Sequence, residues 1–383
     1  MPSTLANFTL SAAAAPDDFI VGYDEAVLNG ERRWSVSTIA NAVSGIITPS
    51  FTNAFGESYG LFRKSDPSIV AFSKTADFAV STGVTLYVEV NGRYIQIDSG
   101  TVVTMPSPTV GTDYAIWANP NGTLQATTNH TSGPVAESRK VGGFHYAAGS
   151  NATAQAGGNT TAQINQYSFW DLKFRPNCPD PRGMTLVADS FWADIYLCGV
   201  DHTVNGTSKY NVTIADGSAP PKVPTEFGGN GTTAYANGNW WNFMEVLQSH
   251  GKRGFTYAEF AAAAYGTTEA TSSGGTDVPT TGVTGTGATS QWNVFTSKWG
   301  VIQSTGCIAI WGDEFGGGNA AASWTANTQG RGSTYQMENA VNFGGTWPDS
   351  SRSGSRCSYW GVSPSFSDNS DGVRGACDHL SLD

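Results

Sequence analysis

Val84, Leu86, Val88 and Val90 alternate with Thr85, Tyr87 and Glu89, the period-two pattern of a half-buried strand. Asn91-Gly92 comes next, and then a second alternating run, Tyr94-Ile95-Gln96-Ile97. An Asn-Gly pair between two such runs predicts a tight hairpin, because both turn residues need positive φ. Another pair of runs, 114–118 and 123–126, flanks Asn121-Gly122. Residues 59–165 are therefore expected to form a small antiparallel β domain, a β-sandwich. Upstream, 18–23 reads as a short strand and 37–43 as a brief helix with Ile39, Val43 and Ile46 on one face. So small a unit buries too little to stand alone, and residues 1–58 are expected to serve oligomerisation or docking.

The pattern changes after 150–162, a small and polar stretch that marks a boundary. Residues 166–383 hold two helical signals. Phe243, Val246 and Leu247 make the apolar face of the first. The second opens at Thr256 with Glu259 three positions on, a capping box. It runs through Phe260 and Ala261–Ala264 and stops at Gly266. Thr267–Ser290 is rich in Gly, Thr and Ser without periodicity, and predicts an exposed loop. Beyond it come short strands and long loops, punctuated by Trp292, Trp299, Trp311, Trp324, Trp347 and Trp360. The fold class is thus multi-domain: an N-terminal module, an antiparallel β-sandwich and an α+β domain.

Charged residues make up 13% of the 383 and aromatic residues 12%, so the chain is a folded, loop-rich protein rather than a disordered one. A net charge of −11 repels polyanions, which argues against nucleic-acid partners. No apolar run approaches the roughly 18 residues of a membrane span, so no membrane insertion is expected. The start lacks a basic n-region, and no signal peptide is read there. Five cysteines, odd in number and widely spaced without Cys-x-x-Cys, suggest buried free thiols from a reducing cytoplasm.

Catalytic patterns fail one by one. Gly56-Glu57-Ser58-Tyr59-Gly60 matches G-x-S-x-G, but Leu61–Pro67 directly after it carries no helical pattern. The five histidines carry no H-x-x-x-H spacing, and Gly251-Lys252-Arg253 falls short of a phosphate-binding loop. Asp368-Asn369-Ser370-Asp371-Gly372 has a faint likeness to a calcium loop without its spaced bidentate Glu. The expected catalytic and metal sets are empty.

One segment stands apart by composition. Residues 343–383 contain no Lys, Glu, Gln or Met, against 34 of these among the first 342. About four would be expected at that frequency. Ser, Gly, Asp, Arg and isolated aromatics replace them, the mixture that makes paratopes: Tyr supplies contact area at low entropic cost and small polar residues adapt.

Several long runs carry a resemblance. They include Val141–Tyr146, Gly157–Asn165, Asp180–Ala188, Phe191–Tyr196, Gly266–Gly282, Phe295–Val301, Arg374-Gly375 and Cys377–Leu380. From about residue 60 the chain resembles the variable proteins of diversity-generating retroelements, the family of the phage major tropism determinants. The resemblance implies a receptor-binding protein that forms a homotrimer at the tip of a tail fibre on the virion. It also implies folding in the host cytoplasm and a C-type-lectin-like fold over 166–383. Residues 1–58 would then be a trimerisation or tail-fibre attachment module that meets other tail-fibre proteins. In that family, adenine-directed mutagenesis varies exposed positions, and mutated Asn codons cannot reach Lys, Glu, Gln, Met or Trp. Carried over, the receptor-binding set is Thr346, Pro348, Asp349, Ser350, Arg352, Tyr359, Gly361, Val362, Phe366, Asp368, Ser370 and Asp371, with Tyr359 and Phe366 as the main anchors. Trp347 and Trp360 would be scaffold, while Cys357 and Ser358 stay undecided between varied and buried. The partner implied is a host bacterial surface receptor, protein or glycan.

Gly344-Gly345-Thr346-Trp347, Arg356 and a later Gly-x-Arg also resemble formylglycine-generating enzymes. Those use a close pair of cysteines here, and Cys357 has none nearby. A calcium-dependent sugar lectin is the third reading, but its Glu-Pro-Asn, Gln-Pro-Asp and Trp-Asn-Asp tripeptides are missing. The protein is therefore expected not to be an enzyme. No cofactor is expected, and a structural calcium or magnesium ion is compatible with the loops.

Overall fold

A computed structural model describes residues 19–23, 31–35, 61–274, 277–282, 292–319, 324–326, 331 and 333–382. The chain divides into two compact units, Met1–Gly60 and Leu61–Asp383. In the first, Phe19–Tyr23 pairs antiparallel with Glu31–Ser35, so the expected strand is present with a partner. The expected helix over 37–43 and the Gly56–Gly60 motif lie outside the described residues.

The second unit is rich in β-structure with few helices. Leu86–Val90 and Arg93–Ile97 form the expected hairpin, and Asn91 and Gly92 take φ of 50° and 73°. Leu86, Val88 and Val90 are buried beneath it. The other Asn-Gly turns the chain differently. Thr112–Ala118 pairs with Leu124–Thr127 across a longer loop, because Asn121 Oδ1 accepts from Thr123 N at 3.1 Å and from Thr123 Oγ1 at 2.7 Å. The side chain closes its own turn, and only Gly122 needs positive φ.

Arg139–Ala147 joins the same sheet beside Thr112–Ala118. Its Gly142 and Gly143 have a packing reason. A Cβ at Gly142 would lie 2.6 Å from the Phe72 ring, and one at Gly143 2.8 Å from the Trp170 ring. The strand is bare so that two aromatic rings can lie against it. Phe62, Phe72, Leu86, Val88, Tyr114, Ile116 and Phe144 share one core, in which Tyr114 and Phe144 stack at 5.3 Å.

The stretch 150–162 proves to be stitched down rather than free. Ala152 N donates to Ser297 O, Gly157 N to Gly266 O and Gly158 N to Asn293 O. His145 reaches the same way, with Nδ1 on Asp113 Oδ1 and Nε2 on Tyr196 OH, each at 2.9 Å. A buried Lys64–Asp171 ion pair at 3.0 Å adds a third tie.

Two four-stranded sheets frame the rest. One orders Phe174–Pro176, Ala376–Ser381, Phe191–Asp194 and Met184–Val187, so the last strand closes against the first. The other orders Ser358–Val362, Glu338–Phe343, Ala309–Asn319 and Asp371–Gly372. Helix Trp240–Ser249 buries Phe243, Val246 and Leu247, and Asn239 caps it by accepting from Asn242 N. Helix Tyr257–Ala263 carries the Thr256/Glu259 capping box in full. It stacks Phe260 on Phe343 at 5.0 Å, which fixes the strand leading into residues 344–357.

The expected exposed loop or insertion over Thr267–Ser290 is exposed at Glu269, Ala270 and Pro279 but packed at other described residues. Thr267, Ser273, Val278 and Thr281 are buried. Short side chains let this backbone pack closely, while hydroxyls satisfy buried carbonyls; Thr281 Oγ1 donates to Lys209 O at 2.6 Å. Residues 283–290 lie outside the described residues.

Candidate functional site

The compositionally distinct segment begins at the end of the Glu338–Phe343 strand. Gly344 and Gly345 come next with φ of 88° and 76°. At Gly345 a Cβ would meet Ser353 Oγ at 2.5 Å, so the turn closes only on glycine. The chain then makes a 3₁₀ turn at Ser350–Arg352 and returns as the strand Ser358–Val362, an edge of its sheet. A last loop, 363–370, leads into Asp371–Gly372.

Strand periodicity sorts the candidate residues on the edge strand. Tyr359 is 63% exposed and Gly361 is exposed beside it, while Trp360 between them points inward. A Cβ at Gly361 would touch the Tyr359 ring at 2.9 Å, so the ring lies over this glycine. Trp360 packs on the core and over Gly316, and Trp347 packs on the same core. Phe366, 47% exposed, stands on the neighbouring loop. Pro348, Ser350 and Arg352 are exposed on the 3₁₀ turn, where Ser350 takes a left-handed φ of 51°.

The remaining candidates do other work. Val362 and Asp371 are only 7% and 3% exposed, so neither can touch a partner in this conformation. Val362 continues the alternation inward, into a core with Phe243 and Trp311. Asp371 accepts a hydrogen bond from Asn342 Nδ2; burial, reinforced by the nearby Asp368 charge, pushes its carboxyl up to about 7. Asp349 Oδ2 accepts from Thr346 N at 2.7 Å and Oγ1 at 3.0 Å, closing the turn between them. Asp368 Oδ1 likewise accepts from Ser370 N and Oγ. These four half-buried residues shape the loops. Cys357 is half-buried with its thiol raised, first by burial and then by Asp349. It is no activated nucleophile.

Residues outside the segment hold it in place, and sequence reasoning missed them. Glu269 accepts from Ser355 N at 2.9 Å and from Ser355 Oγ. Ser272 Oγ donates to Trp347 O at 2.6 Å and accepts from Ser350 N at 3.2 Å. Trp347 N donates to Cys307 O. The advance signal was Glu269, a carboxylate within 267–274, whose other residues are small and neutral. An open groove lined by Tyr265, Glu269, Trp299, Ser355 and Arg356 borders the same loop.

Other titratable groups are structural. Arg374, from the Gly-x-Arg, is fully buried and donates to the carbonyls of Asp194, Ile195, Ile302 and Gln303. Its burial lowers the guanidinium to about 10. Histidines distant in sequence meet: His202 Nδ1 lies 3.0 Å from His250 Nε2, and burial lowers both. Among the described residues no three His, Cys, Asp or Glu side chains converge as metal ligands. The exposed residues of the segment offer two aromatic rings, a guanidinium and small polar groups on a fastened backbone.

Comparison with known proteins places this arrangement. Residues 70–171 match the family model described as the Mtd second domain. The tail fiber receptor-binding protein of Bordetella phage BPP-1 is 61% identical over 325 residues, covering 84% of this chain and 85% of that protein. The solved Major Tropism Determinant M1 variant is 60% identical with a TM-score of 0.83, over 85% of this chain and 87% of that one. The P3c variant has the same identity and TM-score, over 84% of this chain and 87% of its own. The chain therefore belongs to the family of the phage major tropism determinants.

Proposed function

We propose that this protein is a phage tail-fibre receptor-binding protein, a tropism determinant that binds a receptor on a bacterial surface. The observation that carries the reading is the match to a tail fiber receptor-binding protein at 61% identity over most of both chains. Exposure supports a choice of contact residues within the carried-over set. Pro348, Ser350, Arg352, Tyr359, Gly361 and Phe366 form the exposed part of the varied set. Tyr359 and Phe366 supply apolar anchor area, and Arg352 supplies charge-assisted hydrogen bonds. Thr346, Asp349, Asp368 and Ser370 set loop shape, and Trp347 and Trp360 are scaffold. Because the backbone is fixed beforehand, binding spends little on loop ordering.

The finer reading comes from the family. Residues 59–165 form a β-sandwich domain and 166–383 a C-type-lectin-like domain with its variable region at 343–383. Residues 1–58 join the protein to other tail-fibre components. The chain acts as a homotrimer at the fibre tip of the virion, after folding in the host cytoplasm. Its task is recognition, without catalysis and without a cofactor. Trimerisation and several fibres per particle raise apparent affinity by about 10²–10⁴ over a single site.

Binding of the purified protein to a panel of bacterial cells tests this. On the strain it binds, resetting Pro348, Arg352, Tyr359, Gly361 and Phe366 together to Ser should abolish binding and leave the melting temperature within about 2 °C, since exposed positions carry little stability. Full binding by that variant would move recognition away from the segment.

A further inference from the structure

Two of the five cysteines face each other across a sheet. The antiparallel register pairs Arg175 with Leu380 and Pro176 with His379, and Asn177 N donates to Asp378 O at 2.9 Å. The strand pairing ends at Pro176, and the same register continued through Asn177 would set Cys178 opposite Cys377. Directly opposed residues on antiparallel strands have Cα atoms about 4.5–5.5 Å apart, inside the roughly 4.4–6.8 Å that a disulfide spans. Both side chains are buried in one apolar cluster with Trp170 and Trp192. Cys377 is placed to hydrogen-bond Cys178 Sγ, and that sulfur also lies 3.2 Å from Asp180 O and 3.5 Å from Met184 Sδ. That shared bond, helped by the Lys252 ammonium, lowers the first ionisation at Cys178. The same bond, with burial, raises Cys377. A thiol that ionises more readily beside one that holds its proton is the arrangement that dithiol oxidation uses.

We propose that Cys178 and Cys377 form a disulfide when the folded protein meets an oxidising small-molecule disulfide, and that the bond clamps the strand ending the variable segment. The Cys178 thiolate attacks one sulfur of the oxidant, breaking its S–S bond and releasing one thiol. Cys377 then loses its proton and attacks Cys178 Sγ, releasing the second thiol. Two protein thiols are oxidised, one small disulfide is reduced, and both protons end on the released thiols. Asn177 and Pro179 on either side of Cys178 are exposed, so opening this one turn admits the oxidant. The bond closes a loop of roughly 200 residues, the length at which chain-entropy stabilisation is large. That the protein meets oxidising surroundings rests on its reading as a virion protein; the thiol chemistry does not.

The test is the full chain, purified under reductant and then incubated with glutathione disulfide at pH 8. Thiols titrated in denaturant should fall by two from five, and a non-reducing peptide map should show a Cys178–Cys377 link. The melting temperature should rise by roughly 5–10 °C, and a Cys377→Ser variant should show neither link nor rise. Five surviving thiols, glutathione held on Cys178 alone, or a link through Cys357 would each overturn the proposal. If the variant fails to fold, the peptide map of the unaltered chain still decides. No cells enter this experiment, so its failure leaves the receptor-binding reading standing.

Discussion

Tyr359 and Val362 stand three positions apart in one short strand, yet one ring is mostly in solvent and the other side chain is in the core. Composition treats them alike. Both belong to the carried-over set, and only side-chain direction along the strand separates exposure from packing. Asp371 differs again, since a buried carboxyl has a stability signature that a contact residue lacks. Its folded-state value of about 7 lies above the unfolded value of about 3.9. The native state therefore binds the extra proton between those values, and this group's contribution falls as pH rises from 4 towards 7. The loss is at most about 1.4 kcal/mol per pH unit. Thermal melts of Asp371→Asn beside the unaltered chain check the sign. The variant should gain relative stability at pH 8 and lose that advantage at pH 5. A constant difference across this range would mean that Asp371 titrates normally.

At the scale of elements, the 344–357 loop is held by residues more than seventy positions upstream. Ser355 and Ser350 are fixed from the 267–274 stretch, whose small side chains suggest a free loop and instead permit close packing. Glu269→Ala removes the acceptor of the Ser355 amide, leaving a buried N–H unpaired, at a cost of about 1–3 kcal/mol. Amide exchange within 344–357 should accelerate at least tenfold in that variant, and cell binding should weaken although every exposed residue is unchanged. Unaltered exchange would show that the turn holds itself. Local signals were legible where the local chain decides alone. Asn91-Gly92 and the Thr256/Glu259 capping box each satisfy their own backbone. Asn121-Gly122 likewise marks a hairpin that forms, although its own side chain closes the turn.

At the scale of the molecule, Leu61–Asp383 is one compact unit in which 150–162, whose small polar residues mark a boundary in the sequence, is laced to residues 266 and 293–297. Glycine and asparagine suit either role, and only the partner strand chooses. Valency is the property that belongs to this scale. The full chain should sediment as a trimer, and dissociating it should weaken cell binding by about 10²–10⁴ without altering the single site. Analytical ultracentrifugation beside cell-binding titrations measures both, and a monomer that binds cells with full strength would remove avidity from the mechanism.

The sequence by itself determined the β-rich character of the chain, the positions of its best hairpin and its capped helix, and the exceptional composition of 343–383. Those features are written in neighbouring residues, through periodicity, turn chemistry and residue choice. The long matching runs also made the family legible. Only the tertiary structure decided which residues of that segment face solvent, because burial depends on the sheet behind the strand. It alone brought His202 against His250 and Cys178 into one buried cluster with Cys377. Such pairs are made by strand register and packing between segments far apart in the chain, and no local pattern encodes them.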